Sequence, residues 1–297
     1  MPFSMWNNSH SVVLQEKVYI GGGEAQTHEN ACTVMVYDPH SEKWDTLPEY
    51  KARSFGMAAI NDQLVLVGGR SPSTGRKCKQ VAVWDPESKQ WVHRYPALRI
   101  ARHNLVAAAY GKWLMAAGGL GVGGYLDDVE ILDTTARHRQ WYSTAPLPLK
   151  CDRMRSAVVQ DNWYLIGGFE ADSRIRTMFS ASLPKLISSA VSQESTEWNL
   201  LPDTPLGRCT VVALNRSLLE VGGRSDSNAK YSSIIYHYQP ESEKWVKAGD
   251  LPTARAWSAC IALSNEELLV AGGFEPHNNT GKTTTRVDIA TVEPYSP

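Results

Sequence analysis

The sequence predicts an all-β fold, a closed ring of six blades, each a four-stranded antiparallel sheet. Three observations carry this. Six strand-like runs end in paired glycines whose first members are Gly22, Gly68, Gly118, Gly167, Gly222 and Gly272, at intervals of 46, 50, 49, 55 and 50 residues. Tryptophans keep the same phase: Trp44, Trp91, Trp141, Trp198 and Trp245 follow the second glycine by 21, 22, 22, 30 and 22 residues. The strands follow one another with no helix between the units, and such a repeat marks a β-propeller.

Each unit reads as four strands. Strand A is a small-residue apolar run such as "SFGMAAI", "HNLVAAAY" or "CTVVAL". Strand B ends in the glycines, as in "LVLVGGR" and "WYLIGGF". Both are nearly continuously apolar, as when both sheet faces are covered. Two glycines at a strand end suggest an exit with no room for a β-carbon. Strand C alternates and closes on a turn, "VMVYDP", "VAVWDP", "IIYHYQP" or "ATVEP". An acid before proline suits a turn start. Strand D carries the tryptophan and leads into a proline connector, "DTLP", "HRYP", "APLP", "NLLP" or "GDLP". An arginine follows: Arg53, Arg102, Arg153 or Arg155, Arg208 and Arg255. Closing the ring protects the sheet edges.

The blades fall at about 10–45, 54–93, 103–143, 154–199, 208–247 and 255–294, in one domain spanning 1–297. The last repeat stops at "ATVEPYSP" without a tryptophan strand, while "PFSMW" precedes the first strand A. Pro2 to Trp6 is therefore expected to supply the fourth strand of blade six. Repeat three replaces the Asp-Pro turn with "ILDTTARHRQW". In repeat four, "ASLPKLISSAVSQESTEW" places Leu183, Leu186, Ile187, Ala190 and Val191 at helical spacing. With Ser182 as a cap and Pro184 in the first turn, a short helix is predicted in this C–D loop.

Hydrophobic content of 42% and charge of 21% fit a soluble globular chain. The net charge of −1 argues against broad nucleic-acid or membrane adhesion. No apolar run approaches a bilayer span, and "MPFSMWNNSH" lacks the features of a signal peptide. Five cysteines with no C-x-x-C pair read as reduced thiols in a cytoplasmic compartment. Sequons at Asn7, Asn215 and Asn278 are attributed to chance in the absence of a secretion signal. The eight histidines lack zinc-site spacing, so no metal or other cofactor is expected, and a monomeric propeller is anticipated.

With glycine pairs, turns, tryptophans and arginines in phase along essentially the whole chain, the sequence resembles the kelch-repeat family. The resemblance implies a six-bladed propeller with tryptophans packed between blades. It also implies an interaction module, often the substrate-recognition part of a larger protein such as a cullin-type ligase adaptor. The repeats use the whole chain, so no BTB-like or BACK-like segment is expected within it. The alternative is a kelch-type enzyme: a copper-radical oxidase, a sialic-acid epimerase or an iron-using specifier protein. The E-x₃-D-x₃-H spacing of the iron type is absent. Cys209 and Cys260 read as core, and His103 and His237 as hydrogen-bonded structural histidines. "GGLGVGG", Gly118 to Gly124, lacks the Lys-Ser/Thr and helix of a phosphate loop and reads as a flexible B–C loop.

Antiparallel order puts the B–C loops and D–A connectors on one face. Their windows sum to +8 against −1 for the chain. In some members of the family, arginines in this phase line the channel mouth and contact acidic peptides. Arg53, Arg102, Arg208 and Arg255 match, Arg153 or Arg155 less closely, and repeat one has Asn7 or Asn8 instead. The other reading is structural, with each arginine bonding loop carbonyls at the start of strand A. The partner site is placed on blade two, whose B–C loop carries Arg70, Arg76, Lys77 and Lys79 and whose connector carries Arg94, Arg99 and Arg102. Arg224 in blade five adds charge, and Phe55, His103, Tyr125 and Trp257 are candidate apolar contacts. The partner expected is a protein presenting an acidic peptide or loop.

Overall fold

The computed structural model describes residues 1–7, 9–171, 173–192, 196–225, 230–277 and 280–292. Five four-stranded antiparallel sheets occur in the order A-B-C-D, running from His10–Leu14 to Lys43–Thr46, Gly56–Ile60 to Gln90–Val92, Val106–Tyr110 to Trp141–Ser143, Arg155–Val159 to Asn199–Leu201, and Thr210–Leu214 to Lys244–Asp250. The sixth contains Ala259–Ala262, Glu267–Ala271 and Val287–Thr291. The six A strands neighbour one another in a closed cycle around the axis. Ser11 of blade one donates to Cys260 O of blade six at 2.6 Å, joining the two ends of the ring.

Three of the phased tryptophans work between blades. Trp91 Nε1 donates to Pro48 O at 2.8 Å, Trp141 to Pro96 O at 2.8 Å and Trp198 to Ala145 O at 3.1 Å. Each indole thus anchors the preceding blade's proline connector, which explains why the two marks share a phase. The glycine pair has an equally specific cause. A β-carbon on Gly68 would lie 2.7 Å from Arg102 O in the next blade's connector, and one on Gly69 2.9 Å from Arg53 O in its own. Both glycines also take positive φ, +65° and +110°. Two connectors therefore pass over the end of strand B, one against each glycine.

The N-terminal segment does not supply the fourth strand of blade six. Met5–Trp6 pairs with Glu24–Ala25 of blade one. Gly273 N donates to Met5 O at 2.9 Å, as Gly69 N donates to Arg102 O at 2.8 Å. The segment is thus the connector that precedes blade one, seated over the glycines of blade six. Chain reach explains this. Four residue steps from Trp6 to His10 span at most about 14 Å, which only matches three inter-strand spacings from D to A. Met5 is 1% exposed and packs with Ile20, Leu269 and Ala271 at the seam. Deleting residues 1–6 is expected to lower the melting temperature by about 5–10 °C, since a buried methionine is worth about 2–5 kcal/mol. An unchanged melting temperature would show that the seam holds without this connector.

The helix predicted in blade four is present as Leu183–Ser192. Leu183 and Leu186 are buried, and Thr144 Oγ1 of blade three donates to Leu186 O at 2.8 Å, so the helix clamps the seam between blades three and four. One detail differs from expectation: Val191 is 63% exposed. Ser182, paired with Asn162 at the end of strand C, directly precedes the helix in the position expected of a cap. "GGLGVGG" is also more ordered than a flexible loop, since Leu120–Gly121 pairs with Gly124–Tyr125 as a small hairpin.

Candidate functional site at the channel mouth

Among the described residues, strand A of each blade is entered through a left-handed residue. Asn7, Ser54, Asn104, Arg153, Arg208 and Trp257 have φ of +48°, +55°, +55°, +53°, +59° and +56°. This conformation is costly for side chains as large as arginine and tryptophan. Backbone bonds between blades hold it: Asn104 N to Ser54 O at 2.8 Å, Arg153 N to Asn104 O at 2.9 Å, and Trp257 N to Arg208 O at 2.8 Å. Asn7, Arg153, Arg208 and Trp257 line a cavity at the mouth of the channel. The Arg208 guanidinium stacks 4.4 Å from the Trp257 ring, and Arg153 lies 5.2 Å from that of Phe169.

The arginines that follow the tryptophans do not share one structural position. The residue before each left-handed position pairs across to the residue after the glycines, as in Arg53 with Arg70, His103 with Leu120, Asp152 with Phe169 and Gly207 with Arg224. Arg53 occupies that paired position. Arg102 and Arg255 lie one residue earlier, Arg153 and Arg208 one later. That offset separates the two sequence readings. Arg102 and Arg255 are fully buried at 0% exposure. Arg102 donates to Gly118 O and Asp128 O, each at 3.0 Å, and pairs with Glu130 at 2.5 Å. Arg255 donates to Gly272 O at 3.4 Å and Arg286 O at 3.3 Å and pairs with Asp288. These two fasten connector to blade and present nothing to a partner.

Blade two also differs from expectation. Arg94 turns to Asp85 at the far end of strand C, 3.4 Å away, instead of toward the mouth. Arg99 is exposed at the seam with blade three, where it bonds Ser143, and its backbone N donates to Glu130 Oε2 at 2.8 Å. Phe55 is core, at 0% exposure. His103 is 6% exposed, shares a 3.1 Å hydrogen bond with Leu120 O, and is held neutral by a pKa lowered to about 4, mainly by burial. Arg70, Lys77 and Arg153 all bear electrostatically on that ring, which places them around the same stretch of rim. Arg70 Nε donates to Gly75 O at 3.0 Å, so its stem braces its own loop, while Arg76 is exposed. Tyr125 sits half-buried on the blade-three hairpin, and Arg224 lies 5.3 Å from the Tyr231 ring.

Sequence reasoning missed Arg174 as a lining residue of the mouth; it left Arg155 as an alternative to Arg153 and counted Asn7 or Asn8 only as a gap in the ring of arginines, whereas Asn7, Arg153 and Arg155 all line it. Counting forward from the tryptophans hid the register, because the connectors differ in length. Counting backward from strand A would have aligned the left-handed residues. The thiols show no activation: burial pushes Cys32 up to about 11, Cys151 up to about 12, and Cys209 and Cys260 upward as well. Among the described residues, no group of three or more His, Cys, Asp or Glu side chains is placed to hold a metal ion. No helix among them is long and apolar enough to cross a membrane.

The family model of the KLHDC2/KLHL20/DRC7 Kelch-repeats domain matches residues 8–196, and that of the Kelch motif matches 205–252. Kelch-like protein 35 of Mus musculus is 24% identical over 279 residues, covering 92% of this chain and 44% of that protein. Kelch-like protein terF of Aspergillus terreus is 29% identical over 154 residues, covering 48% of this chain and 32% of that protein. Kelch-like protein 23 of Homo sapiens is 23% identical over 272 residues, covering 78% and 48%. The chain thus spans less than half the length of each of these relatives. A solved structure titled "Structure of YjhT" superposes with a TM-score of 0.76 over 99% of both chains at 17% identity, a likeness of fold.

Proposed function

The chain belongs to the kelch-repeat family, and from that premise we propose that it is a non-catalytic protein-interaction module, the recognition domain of a larger protein. It takes an acidic peptide or loop on the face of the B–C loops and D–A connectors. The observation that carries this is the convergence of Arg153, Arg208 and Trp257 on one mouth, with Arg70 and Lys77 on the rim beside them. Arginine forks suit bidentate capture of carboxylates, and the stacked indole supplies a rigid apolar anchor. The centre of the site accordingly lies at the mouth beside blades four to six, with the blade-two loop, including Arg76, as its outer rim. Arg224 extends the basic surface of blade five.

Charge reversal tests this reading. Arg70→Glu, Arg153→Glu and Arg208→Glu together are expected to leave the melting temperature within a few degrees of wild type. They should remove at least tenfold of the affinity for captured partners, with the wild-type interaction weakening as salt rises. Reversal of Lys43, Lys89 and Lys244 on the C–D face should leave capture intact. If the C–D reversals abolish capture while the mouth reversals spare it, the opposite face binds.

A further inference from the structure

Arg155 opens strand A of blade four, and its side chain crosses the propeller axis. Nη1 donates to Ser9 O of blade one at 3.3 Å, and Nε to Cys209 O of blade five at 3.4 Å. Both bonds are long, and both acceptors are neutral carbonyls. The residue is 9% exposed. Burial lowers its pKa to about 10, so the guanidinium stays charged at neutral pH. The two other buried arginines of this fold show a different arrangement. Arg102 faces Glu130 and Arg255 faces Asp288, so each buried charge meets a carboxylate. Such pairing is the general rule, because an isolated buried charge is strongly disfavoured.

Above Arg155 lies a cavity of about 30 Å³, walled by Asn7, Arg153, Arg174, Arg208 and Trp257. No acidic residue is among its described lining. Asp152, behind Arg153, lies 3.6 Å from Nη1 of that residue. One water needs about 10–15 Å³ by this measure, so the space suits a group of two or three heavy atoms. Arg155 also borders the channel of about 490 Å³ beneath, where His10 reaches across from blade one to bond the backbone of Leu105. That ring is neutral, its pKa lowered to about 3 by burial and by the Arg155 charge. The positive potential is therefore concentrated on the upper side.

We propose that the cavity between Arg155 and the channel mouth binds one compact monoanion, of the inorganic halide or small carboxylate class, as the counter-ion of the Arg155 guanidinium. The site stands whether or not an acidic partner docks on the face above it. It makes closure of the ring depend on an ion, since Arg155 joins blade four to blades one and five across the axis.

Thermal unfolding with chloride or formate, each exchanged at constant ionic strength against a bulky sulfonate, tests the site. Wild type is expected to gain about 2–4 °C for each tenfold rise in anion above its dissociation constant. Arg155→Gln should flatten that response, while Lys89→Gln on the opposite C–D face should keep it. A wild-type melting temperature indifferent to chloride and formate overturns the proposal, and is also the result required if only a partner's own carboxylate can enter. An unchanged response in Arg155→Gln overturns it equally. If that variant does not fold, bromide soaked into wild-type crystals decides the matter. An anomalous peak within hydrogen-bond reach of Arg155 supports the site, and bromide bound elsewhere but not there rejects it.

Discussion

Arg102→Ala is expected to destabilise the propeller by about 3–5 kcal/mol while sparing partner capture. The side chain is 0% exposed and holds Gly118 O, Asp128 O and Glu130 together at the entry to blade three. Truncation leaves the Glu130 carboxylate, 1% exposed, without its charge partner. The backbone N of Arg99 still donates to it at 2.8 Å, which moderates the loss but does not neutralise the charge. The double variant Arg102→Met, Glu130→Leu removes both charges and should lose less than the sum of the single changes, a coupling measurable by denaturant unfolding. A different outcome would restore the sequence reading of Arg102 as a contact residue: a stability loss below about 1 kcal/mol together with loss of partner capture.

Glu220→Gln is expected to flatten a fall in stability between about pH 5 and pH 8. Glu220 lies on strand B of blade five at 0% exposure, where other blades carry Ile20, Leu66, Leu165 or Val270. Its Oε1 accepts from Leu206 N at 3.2 Å, and the Cys209 thiol also hydrogen-bonds the carboxyl. Burial raises its pKa to about 8. The folded carboxyl is therefore neutral up to about pH 8, whereas the unfolded chain ionises near its ordinary value. Between those values unfolding releases a proton, so stability is fully present at low pH and declines as pH rises, by up to about 1.4 kcal/mol per unit. Glutamine keeps the acceptor for Leu206 N and carries no titration. Variant and wild type should match near pH 4.5, with the variant more stable by about 3–5 kcal/mol at pH 8. Parallel stability curves across that range would show that Glu220 ionises normally.

The repeat, the strand order and the blade-four helix were legible in the sequence because each rests on local chemistry repeated in phase. A glycine pair, an acid–proline turn or an amphipathic helical stripe announces itself within a few residues. The tryptophans were equally legible, though the role of those in blades two to four, the indole bond to the preceding connector, needed the neighbouring blade. The N-terminal strand failed as an expectation because the order of marks gives no chain reach. Trp6 has the residue type of a D-strand tryptophan but too few residues between it and His10.

The proposed site was legible only as a group of loops. Sequence grouped the B–C loops and D–A connectors on one face and gave that face its excess of basic residues, since antiparallel connectivity decides which loops share an end of the propeller. Tertiary structure alone decided which arginines face outward, because connectors of unequal length shift the residue relative to strand A. One residue earlier puts Arg102 and Arg255 under the connector against a carboxylate, and one residue later puts Arg153 and Arg208 at the mouth. Arg155 shows the same limit more strongly: its neighbours in space are Ser9 and Cys209, one 146 residues away and the other 54. Local pattern determined the blades, and closure of the ring, which brings distant connectors together around one axis, determined what each side chain on them can touch.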